Sequence, residues 1–211
     1  AGEIDDDRLV SRKIAAGTAN FLKTDAMTET QMEAAILAGA ESATTMIARG
    51  IKCLILGEMG IGNTTAASAL VAVLTGCSVE QTVGHGTGIS AEKKLHKSRI
   101  IGEAIRLRDP NPENPLDVLK KLGGYEIAAI SGAILAAAQA RIPVIMDGFI
   151  CTSGAMIAVR LNPYIKDYLF AGHVSQEPGH KIALADIGSN PLLHLGLKLG
   201  EGTGAALAFP V

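Results

Sequence analysis

The 211-residue chain has no tryptophan, and only four phenylalanines and three tyrosines. So few aromatic rings argue against a platform on which single-stranded nucleic acid would stack. Charge of one sign is also missing. Nineteen basic and 21 acidic residues leave a net charge of −2, which gives no electrostatic basis for binding nucleic acid or an anionic membrane. No uninterrupted apolar run reaches the ~18 residues of a membrane-spanning helix. The most apolar stretch, Ile127 to Ala140, is short and is broken by Ser131, Gly132 and Gln139. Cys53, Cys77 and Cys151 are far apart and form no CxxC or Cys/His cluster, which argues against a zinc site. Their odd number and the apolar neighbours of Cys53 read as free thiols in a reducing compartment. The acidic start, Ala1 to Asp7, is not a signal peptide. Cytoplasm is therefore the expected location.

Glycine and apolar residues are plentiful. There are 24 glycines, and 48% of the chain is hydrophobic, enough for one domain with a full core over residues 1–211. Three glycine-rich loops carry polar or acidic side chains: Gly57-Glu58-Met59-Gly60-Ile61-Gly62-Asn63-Thr64-Thr65, Gly84-His85-Gly86-Thr87-Gly88 and Gly200-Glu201-Gly202-Thr203-Gly204. Glycine permits tight turns and close approach of a ligand to the backbone. Three such loops beside apolar segments suggest one site lined by backbone N–H groups, suited to a phosphorylated small molecule.

Helical spacing predicts a helix over residues 28–49, with Thr28 and Gln31 as a capping box and Gly39 on its packed face. Residues 51–56 read as a buried parallel strand. The first glycine loop follows, and Asn63 or Thr64 is expected to cap a helix over 64–74. An anion is favoured at such a helix start. Further helices are predicted over 92–108, 116–122, 125–140 and 153–161. Strands are predicted over 142–146 and 170–174, the latter followed by polar residues before another helix. Alternating strands and helices indicate an α/β fold, a Rossmann-like parallel sheet flanked by helices. Ligands in such sheets sit beyond the carboxyl ends of the strands, where Glu58, Asp147 and Ser175 fall.

Each candidate residue has two readings. The first loop lacks the gap order of the dinucleotide fingerprint and the lysine of a phosphate-binding Walker loop, which counts against a nicotinamide-dependent oxidoreductase. It is either a tight strand-to-helix connection or a substrate loop. Glu201, between two glycines, is a solvated loop residue or a general base. A water-poor cleft would strengthen a carboxylate in that role. Glu58 carries the same ambiguity. Lys97 is a solvated helix residue or a phosphate partner. Asp147 caps a turn or contacts a sugar, and Ser175 caps a helix or contacts phosphate. His180 reads as a helix-start contact rather than a metal ligand.

The two motifs containing Glu58 and Glu201 resemble those of the nicotinate-nucleotide–dimethylbenzimidazole phosphoribosyltransferase family. Gly17-Thr18-Ala19-Asn20-Phe21, Ala26-Met27-Thr28, the Gly84 to Gly88 loop, Asp147-Gly148-Phe149 and Ser175 to His180 support the resemblance, which covers essentially the whole chain. It implies a Rossmann-like homodimer that needs no cofactor and no metal. The implied reaction belongs to cobalamin lower-ligand synthesis: nicotinate mononucleotide and 5,6-dimethylbenzimidazole give α-ribazole 5′-phosphate and nicotinate. It also implies that Glu201 is the catalytic base. The expected substrate contacts are Glu58, Met59, Gly60, Gly62, Asn63, Thr64, Gly86, Thr87, Gly88, Lys97, Asp147, Ser175, Gly179, Gly200, Gly202 and Thr203. Family members are longer at both ends, so the alternative expectation is a non-catalytic nucleotide-binding homologue or a partner-dependent fragment.

Overall fold

Residues 9–84 and 90–211 are described by the computed structural model. The first helix, α1 (Glu29–Ala48), starts where the sequence places its cap. Thr28 Oγ1 accepts the Gln31 N–H at 3.2 Å, and Gln31 Oε1 accepts the Thr28 N–H at 3.0 Å. The two bonds satisfy two donors that a helix start otherwise leaves open. Helix α1 lies against α6 (Tyr125–Gln139) at very short range. A Cβ built on Gly39 would fall 1.8 Å from Ala129 O, and one on Gly132 would fall 1.9 Å from Ile36 O. Only glycine fits at either crossing point.

Four short strands form one parallel sheet in the order β1 (Leu54–Leu56), β2 (Val144–Met146), β3 (Leu169–His173) and β4 (Pro191–Leu193). Ile55 pairs with Ile145, and Ile145 with Phe170, so the three form one row across the sheet. Val144 and Met146, on the opposite face, are fully buried. They meet the main core, built from α2 (Thr64–Thr75), α5 (Pro115–Leu122), α6 and α7 (Phe149–Leu161). The Ile145 side packs a second, small cluster with Ala205 and Ala208 of α9 (Thr203–Ala208). The remaining helices among the described residues are α3 (Val79–Thr82), α4 (Ala91–Arg108) and α8 (Pro178–Ile187), with a 3₁₀ turn over Pro163–Tyr168. The predicted α/β class is what the structure shows.

Several boundaries differ from the sequence expectation. The first two strands begin two or three residues late, because Leu54 N first pairs with Pro143 O at 2.9 Å. Helix α7 starts at Phe149, not Ser153. Its first residues are all buried, and a helix end wrapped on all sides has no polar–apolar period to read. Strand β4 and helix α3 span three and four residues, too few for a pattern to emerge.

Candidate functional site

The carboxyl ends of the strands lead to the site. Glu58 follows β1, Asp147 follows β2 and Ser175 lies just past β3. The third glycine loop, which precedes α9, returns to the same edge and meets the first loop. Glu201 N–H donates to Glu58 O at 2.9 Å. A Cβ on Gly57 would lie 2.2 Å from Gly202 N, so the two loops touch backbone to backbone. Glu201 itself has φ +59°. That left-handed conformation is uncommon for a residue with a side chain and costs about 1 kcal/mol or more. Gly200 and Gly202, on either side, share it with φ +77° each.

Glu58 is held by its own loop. Its Oε2 accepts the Gly60 N–H at 2.5 Å and a bond from Asn63 Nδ2. Asn63 was expected as a possible cap of α2. It stands at the N-cap position, yet its side chain makes no cap bond and turns to Glu58 instead. Glu201 is exposed. It lines a cleft of about 440 Å³ together with Ile55, Glu58, Met59 and Ala206. The water-poor setting considered for Glu201 is therefore not present here.

Behind these loops lies Asp147, only 1% exposed. Its Oδ1 accepts the Gly204 N–H at 2.7 Å and the Ala205 N–H at 3.1 Å, and Oδ2 accepts the Gly202 N–H at 3.2 Å. His173 Nε2 stands 3.3 Å from Oδ1. Burial alone would raise this carboxyl. The His173 and backbone hydrogen bonds outweigh burial and hold it below the ordinary aspartate value.

A second polar chain supports Ser175. Its N–H donates to His180 Nδ1 at 2.9 Å, so that nitrogen is an acceptor and the proton lies on Nε2. Nε2–H then faces Thr152 Oγ1 at 2.9 Å, and Thr152 Oγ1 donates to Gly148 O at 3.0 Å. Burial, reinforced by His173, pushes the His180 pKa down to about 3. It is a neutral brace at the start of α8, in keeping with the helix-start contact expected from sequence.

A cavity of about 250 Å³ joins these parts. Glu58, Thr64, Lys94, Ser175, Glu177 and Gly200 contribute to its walls. Lys97, from α4, donates from Nζ to Thr64 Oγ1 at 2.7 Å, at the first residue of α2. Burial lowers the Lys97 pKa, and nearby Glu177 partly opposes the shift. One Glu177 carboxylate oxygen is buried with no hydrogen-bond partner among the described residues. The cavity thus combines lysines, the Thr64 and Ser175 hydroxyls and carboxylates. Such a mixture suits a ligand with an anionic end and a polar ring.

The expected residues do not all share this wall. Glu58, Met59, Gly60, Thr64, Asp147, Ser175 and Gly200 line the cavity, and Lys97 stands beside it on Thr64. Glu201 and Gly202 face the neighbouring cleft, which shares Glu58 and Met59 with the cavity. Gly62, Asn63 and Thr203 belong to the loops without lining either space. Gly179 is packed: a Cβ there would meet the Phe149 ring at 2.7 Å and Thr82 O at 2.8 Å. Gly86, Thr87 and Gly88 lie outside the described residues.

Sequence reasoning did not single out Glu177, His173, Lys94 or Glu126. Glu177 sits inside the Ser175 to His180 motif, so a signal for it existed. Glu126 opens α6 beside a larger, mainly apolar cavity of about 660 Å³ that also reaches Glu58 and Met59. Burial and the Glu58 charge raise the Glu126 carboxyl, against a bond to its own backbone. No sequence motif marks that pairing. Among the described residues, no three His, Cys, Asp or Glu side chains gather as metal ligands, and no helix is long and apolar enough to cross a membrane.

Comparison with known proteins places these motifs in context. The chain matches the family DBI_PRT, described as phosphoribosyltransferase, over residues 1–211. It is 52% identical over 200 residues to a nicotinate-nucleotide–dimethylbenzimidazole phosphoribosyltransferase of Geobacter sp., covering 95% of this chain and 57% of that protein. A protein of the same name from Clostridium acetobutylicum is 43% identical over 209 residues, covering 99% of this chain and 59% of that protein. The crystal structure of CobT from Thermus thermophilus superposes with a TM-score of 0.94 at 46% identity, covering 99% of this chain and 63% of that one. The chain therefore spans somewhat more than half the length of the curated relatives it matches.

Proposed function

This chain belongs to the DBI_PRT phosphoribosyltransferase family, and from that premise we propose that it transfers phosphoribosyl from nicotinate mononucleotide to 5,6-dimethylbenzimidazole. The products are α-ribazole 5′-phosphate and nicotinate, in cobalamin lower-ligand synthesis. The observation that carries the reading is the junction of the Glu58 and Glu201 loops at the carboxyl edge of the sheet, closed by the Glu201 N–H···O Glu58 bond of 2.9 Å. It leaves one exposed carboxylate on a cleft of mixed polar and apolar lining, next to a cavity that holds lysines.

The chemistry asks little more. Nicotinate leaves from a pyridinium that is already positive, so no acid need protonate the leaving group. A benzimidazole ring nitrogen attacks C1′ of the ribose from the opposite face, which turns β into α. The C1′–N bond to nicotinate breaks with its electron pair going to the pyridine nitrogen. The attacking heterocycle loses its other N–H proton to Glu201, the general base. Lys97, Ser175 and the loop N–H groups at the start of α2 hold the 5′-phosphate and align the ribose. Glu58 lies beside the heterocycle. The same reading carries a homodimer in the cytoplasm, with small molecules as the only substrates.

The test is nicotinate release from nicotinate mononucleotide with and without 5,6-dimethylbenzimidazole. The expected result is release that requires the base and falls about 10³-fold in Glu201→Gln, while nucleotide binding is retained. Undiminished release in Glu201→Gln removes the base assignment. Nucleotide bound with no release at saturating base identifies a binding homologue or a partner-dependent chain instead.

A further inference from the structure

A helix start normally finds its cap in the residue just before it. Helix α9 does not. Its N-cap is Gly202, which has no side chain to offer. The cap comes from Asp147, a buried carboxylate on a different element, 57 residues from Gly204. The three N–H groups it takes, from Gly202, Gly204 and Ala205, directly follow Glu201. On the other side of the same residue, Glu201 N–H is tied to Glu58 O. Glu201 is thus pinned before and after its Cα, and between the two pins it holds a left-handed φ of +59°.

We propose that Asp147 is a positioning residue for Glu201 and not a contact of the sugar. The inference rests on the reading of Glu201 as the base. Asp147 is 1% exposed, and both of its oxygens are already occupied by backbone donors and the His173 ring. Gly204 completes the arrangement: a Cβ there would lie 1.9 Å from the His173 ring, so α9 seats directly on the imidazole that faces Asp147. By holding the loop, Asp147 fixes the direction in which the Glu201 side chain leaves the backbone. A displacement of about 1 Å in a reacting group costs roughly 10²-fold in rate.

The experiment is Asp147→Asn in the full chain, read in two independent ways. In steady-state kinetics, kcat falls about 10²-fold while KM for nicotinate mononucleotide moves less than about threefold. In the Glu201→Gln background the same substitution has no further effect on kcat, because the group it positions is gone. By amide hydrogen exchange, Gly202, Gly204 and Ala205 lose protection while the amides of β2 and β3 keep theirs. A raised KM with kcat intact makes Asp147 a substrate contact and overturns the proposal, as does unchanged loop protection. If the unmodified chain shows no turnover, the transferase reading fails for this chain alone, and the exchange arm decides the proposal: retained protection at Gly202, Gly204 and Ala205 in Asp147→Asn overturns it. Should Asp147→Asn not fold, His173→Gln retains the three backbone bonds. It is expected to weaken loop protection and kcat in the same direction, to a smaller extent; no change in either overturns the proposal.

Discussion

The α1–α6 pair and the loops above the sheet both rely on backbone approaches that no side chain permits. At Gly39 and Gly132 a Cβ would come within 2 Å of the facing helix; at Gly57 it would come 2.2 Å from Gly202 N. The surroundings differ. The helix pair is regular backbone whose hydrogen bonds are already made inside each helix, so the close approach needs no outside polar partner. The loops leave N–H groups unused by secondary structure, and these are collected by Glu58 O and Asp147. The contrast shows why glycine spacing by itself does not separate a packing seam from a functional loop. What separates them is where the nearby polar groups go.

Substitutions sharpen this contrast in decreasing order of effect. Gly132→Leu drives a side chain into Ile36 O and is expected to cost at least ~3 kcal/mol; a thermal melt within a degree or two of the unmodified chain would show that the helix pair tolerates separation. Acid should expose the loop layer next. His180 is held neutral, with a pKa near 3 against an ordinary 6.5. The unfolded chain gains a proton there that the folded chain refuses. Stability therefore falls as pH drops from 6.5 towards 3, by up to about 1.4 kcal/mol per pH unit. Asp147, depressed in the fold, adds a further loss once pH falls below the ordinary aspartate value of about 3.9, where the unfolded chain binds a proton that the folded carboxylate refuses. His180→Asn should flatten the upper limb, and denaturant melts at pH 7, 5 and 4 measure it.

Gly57→Ala comes third. It is expected to cost about 2 kcal/mol and to lower turnover by about 10²-fold through displacement of the Glu201 loop. Equal turnover with reduced stability would mean that the loops need not touch. The smallest effect has the opposite sign. Glu201→Gly relieves a left-handed side-chain residue and is expected to stabilise the chain by about 1 kcal/mol while abolishing nicotinate release. A lower melting temperature would show that the Glu201 side chain contributes contacts that outweigh its strain.

Much of the scaffold was legible in the sequence because it is encoded locally. Thr28 and Gln31 announce α1, and Gly39 marks its packed face. The carboxyl-edge positions of Glu58, Asp147 and Ser175 follow from the strand-then-polar pattern. The rest depends on distant pairings. Nothing near Asn63 says that it turns to Glu58 instead of capping α2. Nothing near Asp147 names its three amide partners. Gly179 is expected as a substrate contact, and only the fold brings Phe149 against it. Glu126 becomes notable only once α6 carries it to the cavity shared with Glu58.

The remote cap on α9 has a consequence for the order of assembly. A six-residue helix is too short to persist alone in water, and this one draws its support from a strand end laid down 57 residues earlier. The bond between residues 58 and 201 closes a still longer loop. Contacts of such wide separation are slow to form and come after local structure. The Glu201 corner is therefore expected to lock last, after the α1–α6 pair and the sheet are in place. Recovery of turnover during refolding should lag behind recovery of helicity, which makes catalysis a report on the final closure of the chain.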